Sequence, residues 1–358
     1  MAGEAKKKEA KKELRGRMVK RTLFLMLLVI CLVAFAGMAS ADEPALKGVA
    51  YIQGHGGHIA VVDLATGDVA RYSHGKPSDA LTISEDGNTI YMFSLDGFAK
   101  ELDVKTGKQT EWIKLGKKHC GSAFAPDGTI WVSDMDDGNV YVYDPKTKKL
   151  ADKFQVSKSI CAINFSKDGK TAYVSDMPGG FVSVVDVATK KVKSKIEGIG
   201  SFVHRGRIQP GTNDLWQSDG VELKNGVPVG VGYAENGATP GMVRIVDVAA
   251  GKLVDSVIIG GNPHDVDFTP DGKYALVVTR QVPEPDDSAI VVMDTKTKRV
   301  VKVYSVCKKC HGPVNVTIAK TSDDGKPFLC AIQVNWKEAK IPDSAEMLTS
   351  QVEKPAKK

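Results

Sequence analysis

Several catalytic signatures are missing from this chain, and amphipathic-helix patterns are almost absent between residues 48 and 334. There is no phosphate-binding glycine loop, no H-E-x-x-H zinc motif and no nucleophile elbow. The sequence therefore gives no support to nucleotide hydrolysis, to this zinc-peptidase chemistry or to a serine hydrolase of the elbow type. The scarcity of helical periodicity also argues against helical bundles and layered α/β folds.

An excess of either charge is also missing once the N-terminus is set aside. Residues 1–41 hold 9 of the 49 basic and 3 of the 43 acidic residues, which leaves 40 of each sign in residues 42–358. The basic character of the full chain is therefore a property of its first segment. A balanced remainder predicts no nucleic-acid partner.

Long apolar runs are confined to the same N-terminal segment. A basic stretch precedes the 14-residue apolar run from Leu23 to Ala36, and Ala39-Ser40-Ala41 supplies a small-x-small cleavage pattern. Residues 1–41 are therefore predicted to be a secretory signal peptide that is cleaved before Asp42. The alternative is an uncleaved anchor, although 14 residues is short of the roughly 20 that span a bilayer. We expect an exported or periplasmic protein without a stable membrane span after cleavage.

A repeat of about 40 residues runs from Gly48 to about Val334. One unit is an alternating strand that ends in Asp before a turn, and it recurs six times: Ile59–Asp63, Ala99–Asp103, Val140–Asp144, Phe181–Asp186, Met242–Asp247 and Ile290–Asp294. A second unit is a strand, a tight turn and another strand. Its turns are Glu85-Asp86-Gly87, Pro126-Asp127-Gly128, Lys167-Asp168-Gly169 and Pro270-Asp271-Gly272, in which Asp-Gly supplies the positive φ of a hairpin.

Four short strands in each repeat predict an all-β fold, a β-propeller. The strands that precede the Asp-ending strands number seven when Pro327–Val334 is included, so we expect seven blades, with six or eight as alternatives. The first and last units are expected to join in a shared blade. The propeller is assigned to residues 42–336, with a glycine-rich insertion at 221–240 and a charged, disordered tail at 337–358.

Cysteine is scarce, and two of the six cysteines lie in the motif Cys307-Lys308-Lys309-Cys310-His311. This C-x-x-C-H spacing is the signature of covalent c-type haem attachment. Two thiols bond to the two vinyl groups of one porphyrin, and the histidine that follows becomes an axial ligand of the iron. Cys307 and Cys310 are therefore predicted to hold one haem c, with His311 as its proximal ligand. The alternative is a structural disulfide or a chance match.

The repeat also resembles two families. Trp131-Val132-Ser133-Asp134 and Tyr173-Val174-Ser175-Asp176 resemble the YVTN-type seven-bladed propellers. More loosely, residues 46–335 look like the propeller of the dihaem nitrite reductases, the cytochrome cd-like (haem d-one domain-like) proteins, and of their haem-assembly relatives. The resemblance implies a propeller fold. It implies little about activity, because such propellers host many functions.

The repeat predicts which residues share an edge. If strands A to D run outward from the central channel, the B–C and D–A connections lie on one edge, which we call the upper edge. The C-x-x-C-H motif falls in a D–A connection between predicted strands Arg299–Ser305 and Val314–Lys320. In each A strand, the residue six positions before the first turn residue is predicted to lie at the channel mouth. These residues form a ring: Asp79, Cys120, Cys161, His204, His264 and Val314.

These positions supply the candidate ligands. His55 or His58, in the first B–C connection, and then His264 are the predicted sixth ligands of the iron, with Met135 and Met177 ranked below them. His204 and His264 are candidates for binding a second haem or a substrate, as histidines on that face do in the dihaem nitrite reductases. Their alternative role is to hydrogen-bond loop carbonyls.

The remaining candidates carry charge or sulfur. Arg205 and Arg207 could pair with haem propionates or an anionic substrate, or could form surface salt bridges. Cys120 and Cys161 could form a disulfide, remain buried thiols, or act as a thiol ligand or redox site beside His119. Cys330 is expected to be a core residue.

These observations predict an exported haem-bearing propeller that transfers electrons to or from a periplasmic redox protein. Three alternatives stay open. One is an oxidoreductase that acts at an open iron position or at a second haem. Another is a carrier or assembly protein for a modified haem. The third is a haem-free interaction propeller with a Cys307–Cys310 disulfide. The oligomeric state is not predicted.

Overall fold

The computed structural model describes residues 44–54, 56–200, 202–219, 241–259, 261–280, 288–307 and 329–347, together with two short strands at 222–224 and 227–229. Within these residues the fold is an all-β propeller of six antiparallel blades. No described helix is long and apolar enough to cross a membrane. The predicted signal peptide lies outside the described residues.

Each blade contains four strands, ordered A to D from the channel outward. The A strands are β4 (Ser78–Ile83), β8 (His119–Phe124), β12 (Ile160–Phe165), β16 (Val203–Ile208), β22 (Asn262–Phe268) and β26 (Leu329–Asn335). The B strands are β1 (Val49–Gly54), β5 (Thr89–Ser94), β9 (Ile130–Asp134), β13 (Thr171–Asp176), β17 (Asp214–Asp219) and β23 (Tyr274–Arg280).

The outer strands complete the blades. The C strands are β2 (His58–Asp63), β6 (Phe98–Asp103), β10 (Asn139–Asp144), β14 (Phe181–Asp186), β20 (Met242–Asp247) and β24 (Ser288–Asp294). The D strands are β3 (Val69–Ser73), β7 (Ile113–Lys114), β11 (Lys149–Gln155), β15 (Lys191–Ile196), β21 (Lys252–Ile258) and β25 (Val300–Cys307). The glycine-rich insertion is a B–C connection that contains the hairpin β18 (Glu222–Lys224) and β19 (Val227–Val229).

The expectation of seven blades is wrong, and the reason is the position of β26. This strand, Leu329–Asn335, pairs with β1 as the A strand of the first blade, in the order β26-β1-β2-β3-β27. It is therefore not a B strand of a seventh blade. The first blade does combine the two chain ends, as expected, and β26 contacts the A strands β22 and β4 on either side. The A strands consequently form a closed ring.

The blades are held together by six apolar cores in the described residues, one between each neighbouring pair. Successive side chains of a strand point to opposite faces of its sheet. In β1, Ala50 and Ile52 pack towards the last blade, while Val49 and Tyr51 pack towards the second. Burial on both faces explains why residues 49–52 of β1 are all apolar and do not alternate with polar residues.

Residues 337–347 differ from the disordered tail that was expected for 337–358, because they pack against the first blade. The Tyr51 hydroxyl donates to the Glu338 carboxylate, and the Ser344 hydroxyl lies 2.7 Å from that of Tyr72. The strand β27 (Glu346–Met347) then pairs with β3. Residues 348–358 lie outside the described residues.

Candidate functional site

A bulge interrupts every A strand near its start, at the upper edge of the channel. The register of each A strand with its B strand shifts there in all six described blades. A bulge leaves a residue outside the ladder and redirects its side chain. The residues at this position, which we call the mouth ring, are Asp79, Cys120, Cys161, His204, His264 and Cys330.

Five of these residues were predicted to share the position, together with Val314. In the closing blade Cys330 occupies this position, because β26 is the A strand of that blade and its register shift falls between Leu329 and Ala331. No Asp-Gly turn follows β26, and the residues after Asn335 are Trp336-Lys337-Glu338. Aligning the A strands on the turns that follow them therefore does not identify Cys330 as the equivalent residue. Val314 itself lies outside the described residues.

Serines of the B strands hold the bulges and connect neighbouring blades. The Ser133 hydroxyl accepts from the Gly121 N–H at 2.8 Å and donates to the Cys161 carbonyl of the next blade. The Ser218 hydroxyl accepts from the Arg205 N–H at 3.0 Å and faces the His264 carbonyl at 2.9 Å. Ser133 and Ser218, each of which precedes an aspartate in its B strand, thus satisfy backbone groups that the bulge removes from the ladder.

Two cysteines and a histidine of the mouth ring meet in its centre. Cys120 and Cys161 form a disulfide between adjacent A strands, with their Cα atoms 4.9 Å apart. His204 Nε2 lies 3.6 Å from Cys120 Sγ, and His204 Nδ1 lies 3.1 Å from the backbone oxygen of His264. The rings of His204 and His264 are in edge contact, with centroids 4.8 Å apart. Cys120, Cys161 and His204 are all buried.

His119, which was proposed to assist Cys120, lies elsewhere. Its ring is fully buried against Phe93 and Tyr141, and Nδ1 is 3.7 Å from the Asp134 carboxylate. Burial lowers the pKa of His119 to about 3, so the ring is neutral at pH 7. The imidazole that contacts the sulfur is therefore that of His204.

Both arginines of the His204-Arg205-Gly206-Arg207 segment already have carboxylate partners in the chain. Arg205 Nη2 lies 2.7 Å from Asp79 Oδ2 with both side chains buried, and the same guanidinium donates to the Cys120 carbonyl. Arg207 is half-buried, with Nε 3.3 Å from Asp267 Oδ1. A haem propionate or another anion would therefore compete with these carboxylates.

Below the mouth ring the channel contains a cavity of about 360 Å³ that is lined by A-strand residues of all six blades. Asp265 faces it and accepts from the Ile332 N–H at 3.0 Å. Burial raises the pKa of Asp265 to about 6, while Arg205 and Arg207 oppose this shift. The alternation His264-Asp265-Val266-Asp267 is a sequence signal for these carboxylates, which were not among the predicted site residues.

The haem motif begins on the same edge. Cys307 is the last residue of β25 and pairs with Ser288, where the B–C connection of the last blade ends. Cys310 and His311 lie outside the described residues, as does the predicted strand Val314–Lys320. The last and first blades share an apolar core, so the upper ends of β25 and β2 belong to neighbouring blades.

His58 starts β2 at this edge, whereas His55 lies outside the described residues. The ring of His58 is half-buried, and Nδ1 lies 2.9 Å from the Gly56 carbonyl oxygen. Burial lowers the pKa of His58. Because a carbonyl oxygen only accepts, Nδ1 carries the proton and Nε2 keeps its lone pair. Met135 and Met177 lie on the same edge, in the third and fourth blades, and are half-buried.

Comparison with known proteins supports the fold. No protein-family model matches the chain. A solved structure of hydrazine synthase from Kuenenia stuttgartiensis matches 64% of this chain and 65% of that chain, with a TM-score of 0.50 and 24% sequence identity. This chain therefore spans just under two thirds of that chain, and the likeness shows a shared propeller fold.

A second similarity is local. The chain is 27% identical over 90 residues to the mouse U3 small nucleolar RNA-associated protein 18 homolog, which corresponds to 25% of this chain and 16% of that protein. The match therefore covers a short segment of each protein.

Proposed function

We propose that this protein is an exported β-propeller that binds one c-type haem covalently and transfers electrons to or from a periplasmic redox protein. The observation that carries the proposal is Cys307-Lys308-Lys309-Cys310-His311 in a chain with a signal-peptide pattern. Covalent attachment of this kind takes place outside the cytoplasm, so the motif and the export pattern support each other. Cys307 and Cys310 would hold the porphyrin, and His311 would be the proximal ligand.

The position of Cys307 supports a role in docking. It ends the outermost strand of its blade, and the A and D strands of a four-stranded blade are roughly 14 Å apart. A haem attached there would lie at the rim of the upper edge, where a partner protein can approach. The rigid blades would hold it in a fixed place.

His58 and His55 remain the leading candidates for the sixth ligand. His58 lies on the neighbouring blade with its Nε2 lone pair available, which is the form that binds iron. His264 lies on the A strand of the blade that carries Cys307 on its D strand, and these two strands are roughly 14 Å apart. The second haem implied by the resemblance to dihaem nitrite reductases would meet an obstacle at His204, because both ring nitrogens already face other atoms.

The test is the absorbance spectrum of the reduced full chain, produced in a host with haem-attachment machinery. We expect a low-spin c-type spectrum that becomes high-spin in a His58→Ala/His55→Ala double variant. His264→Gln should leave the spectrum unchanged and serves as the matched control. A second haem per chain, or a high-spin spectrum of the wild-type protein, would favour an oxidoreductase. Tight but exchangeable binding of free haem would instead favour a haem carrier.

A further inference from the structure

The mouth ring contains a group of metal-ligating atoms that the proposed haem does not use. Among the described residues, the sulfurs of Cys120 and Cys161 and a ring nitrogen of His204 lie within 4.8 Å of one another, and all three side chains are buried. They come from three consecutive A strands, β8, β12 and β16. The bulges bring them together, because each redirects its residue towards the channel.

We propose that reduced Cys120 and Cys161 bind a thiophilic divalent cation of the Zn²⁺ class together with His204 Nε2, and that the disulfide and the metal exclude each other. Two thiolates and one imidazole form a donor set that Zn²⁺ prefers. Three protein ligands leave the fourth tetrahedral position open for a solvent or ligand atom.

The distances fit this set. With Zn–S bonds of about 2.3 Å and Zn–N bonds of about 2.0 Å, a tetrahedral ion places sulfur and nitrogen about 3.6 Å apart. The observed separation of Cys120 Sγ and His204 Nε2 is 3.6 Å. Two thiolates on the same ion lie about 3.8 Å apart, so the two sulfurs must move apart from the roughly 2.05 Å of a disulfide bond once that bond is reduced.

The surroundings of His204 are those of a metal ligand. Its Nδ1 faces the His264 carbonyl oxygen at 3.1 Å, which can only accept, so this nitrogen carries the proton. The nitrogen that bears the lone pair in the neutral ring is then Nε2, which faces Cys120. Ligating histidines in proteins are oriented by this kind of hydrogen bond from the second nitrogen.

Charge and access also fit. Two thiolates balance a divalent cation, and the adjacent Arg205 is paired with Asp79 at 2.7 Å, so the buried site would carry no net charge. Arg205 Nη2 also lies 3.5 Å from Cys120 Sγ, where it would stabilise a thiolate. The channel cavity is lined by Gly121, Ala162 and Arg205, the next residues along the chain, and provides a route to the site.

The two states interconvert by a balanced exchange. A dithiol donor gives two electrons and two protons to the Cys120–Cys161 disulfide and is itself oxidised to a disulfide. Metal binding then forms two metal–sulfur bonds and releases the two thiol protons. Oxidation of the metal-free dithiol by a disulfide-class oxidant restores the bond seen here.

The experiment uses the full chain with Cys307→Ser and Cys310→Ser, so it does not depend on whether a haem is attached. The protein is reduced with a phosphine, freed of metal and titrated with Co²⁺, whose thiolate charge-transfer absorption reports metal–sulfur bonds. We expect one Co²⁺ per chain after reduction and none before it. Cys120→Ser and Cys161→Ser should lose the stoichiometric site, although both retain Cys330.

His204→Gln keeps both cysteines and therefore separates metal binding from the disulfide. We expect it to keep the charge-transfer band but to bind Co²⁺ roughly tenfold or more weakly, while His58→Gln in the same background binds like its parent. The proposal is overturned if the disulfide resists reduction in the folded chain. It is also overturned if reduced protein binds no stoichiometric Co²⁺, or if Cys120→Ser binds it unchanged.

Discussion

Aspartates at the lower edge of the blades and in the central channel serve opposite purposes. At the lower edge, where the A–B and C–D turns lie, aspartates accept hydrogen bonds from turn backbone. Asp86 accepts from the Ser84 hydroxyl and from the Asn88 N–H, and these bonds lower its pKa to about 2. In the channel, Asp265 is buried, and this burial raises its pKa to about 6. The Asp86 carboxylate is therefore ionised and holds its turn, whereas burial destabilises the ionised form of Asp265.

The lower edge and the mouth ring also differ in how uniform their side chains are from blade to blade. The lower edge repeats the same solution from blade to blade, with the Asp side chain on the backbone of its own turn at Asp63, Asp103, Asp144, Asp186, Asp247 and Asp294. All positions of the mouth ring share one backbone feature, the bulge, but they carry three residue types: Asp, Cys and His. In a repeat fold, a functional site can arise at a position where the backbone geometry is the same in every repeat but the side chain differs.

The largest effect is expected from removing the buried cation at the channel. Arg205→Leu should lower the free energy of unfolding by about 3–5 kcal/mol, because it leaves the buried Asp79 without its ion pair. Chemical denaturation measures this loss. Arg207→Leu, at a half-exposed pair, should cost much less, and Arg205→Leu/Asp79→Asn should recover part of the stability. Equal losses of stability at the two arginines would contradict the distinction between the buried ion pair and the half-exposed one.

Asp265 should make stability depend on pH in the direction opposite to the turn aspartates. Its folded pKa of about 6 lies above the ordinary value of 3.8, so its contribution is present below 3.8 and lost as the pH rises through 6. Between pH 4 and pH 7, the unfolding free energy of wild type relative to Asp265→Asn should fall by up to about 3 kcal/mol. A difference that stays constant or rises with pH would show that Asp265 is ionised without penalty.

Replacing a serine that holds a bulge should cost more stability than replacing a buried serine elsewhere. Ser218→Ala should cost about 1–3 kcal/mol, because the Arg205 N–H loses its acceptor in a buried place. Ser183 is also buried, but its hydroxyl has no hydrogen-bond partner among the described residues. Ser183→Ala should therefore be neutral or slightly stabilising. Equal costs in thermal unfolding would contradict the role given to Ser218.

The smallest effect is expected at a lower-edge turn. Gly128 has a φ of +85°, and a Cβ added there meets no atom within 4 Å. Gly128→Ala should therefore cost about 1–2 kcal/mol from backbone strain alone. Haem content and Co²⁺ binding should be unchanged, since both proposed sites lie on the upper edge. A loss of either would show that the two edges are not independent.

The sequence predicts the blades well because their signals are local. Asp-Gly turns and Asp-ending strands occur within each repeat, and five mouth-ring residues follow from counting back from those turns. The count fails at Cys330 because Trp336-Lys337 replaces the usual turn, and only ring closure with β1 reveals its place. The Arg205–Asp79 pair and the Cys120–His204 contact join different repeats across the channel. No local pattern predicts which of these residues meet.

The central claim is that the upper edge carries a covalent haem, and the most direct test is the intact mass of the chain. Wild-type protein and a Cys307→Ser/Cys310→Ser variant would be produced together in a host with haem-attachment machinery and measured under denaturing conditions. We predict that wild type is heavier than its polypeptide by one haem, while the variant has the mass of the polypeptide alone. A wild-type chain without the added mass, or a variant that keeps it, would contradict the assignment of Cys307 and Cys310.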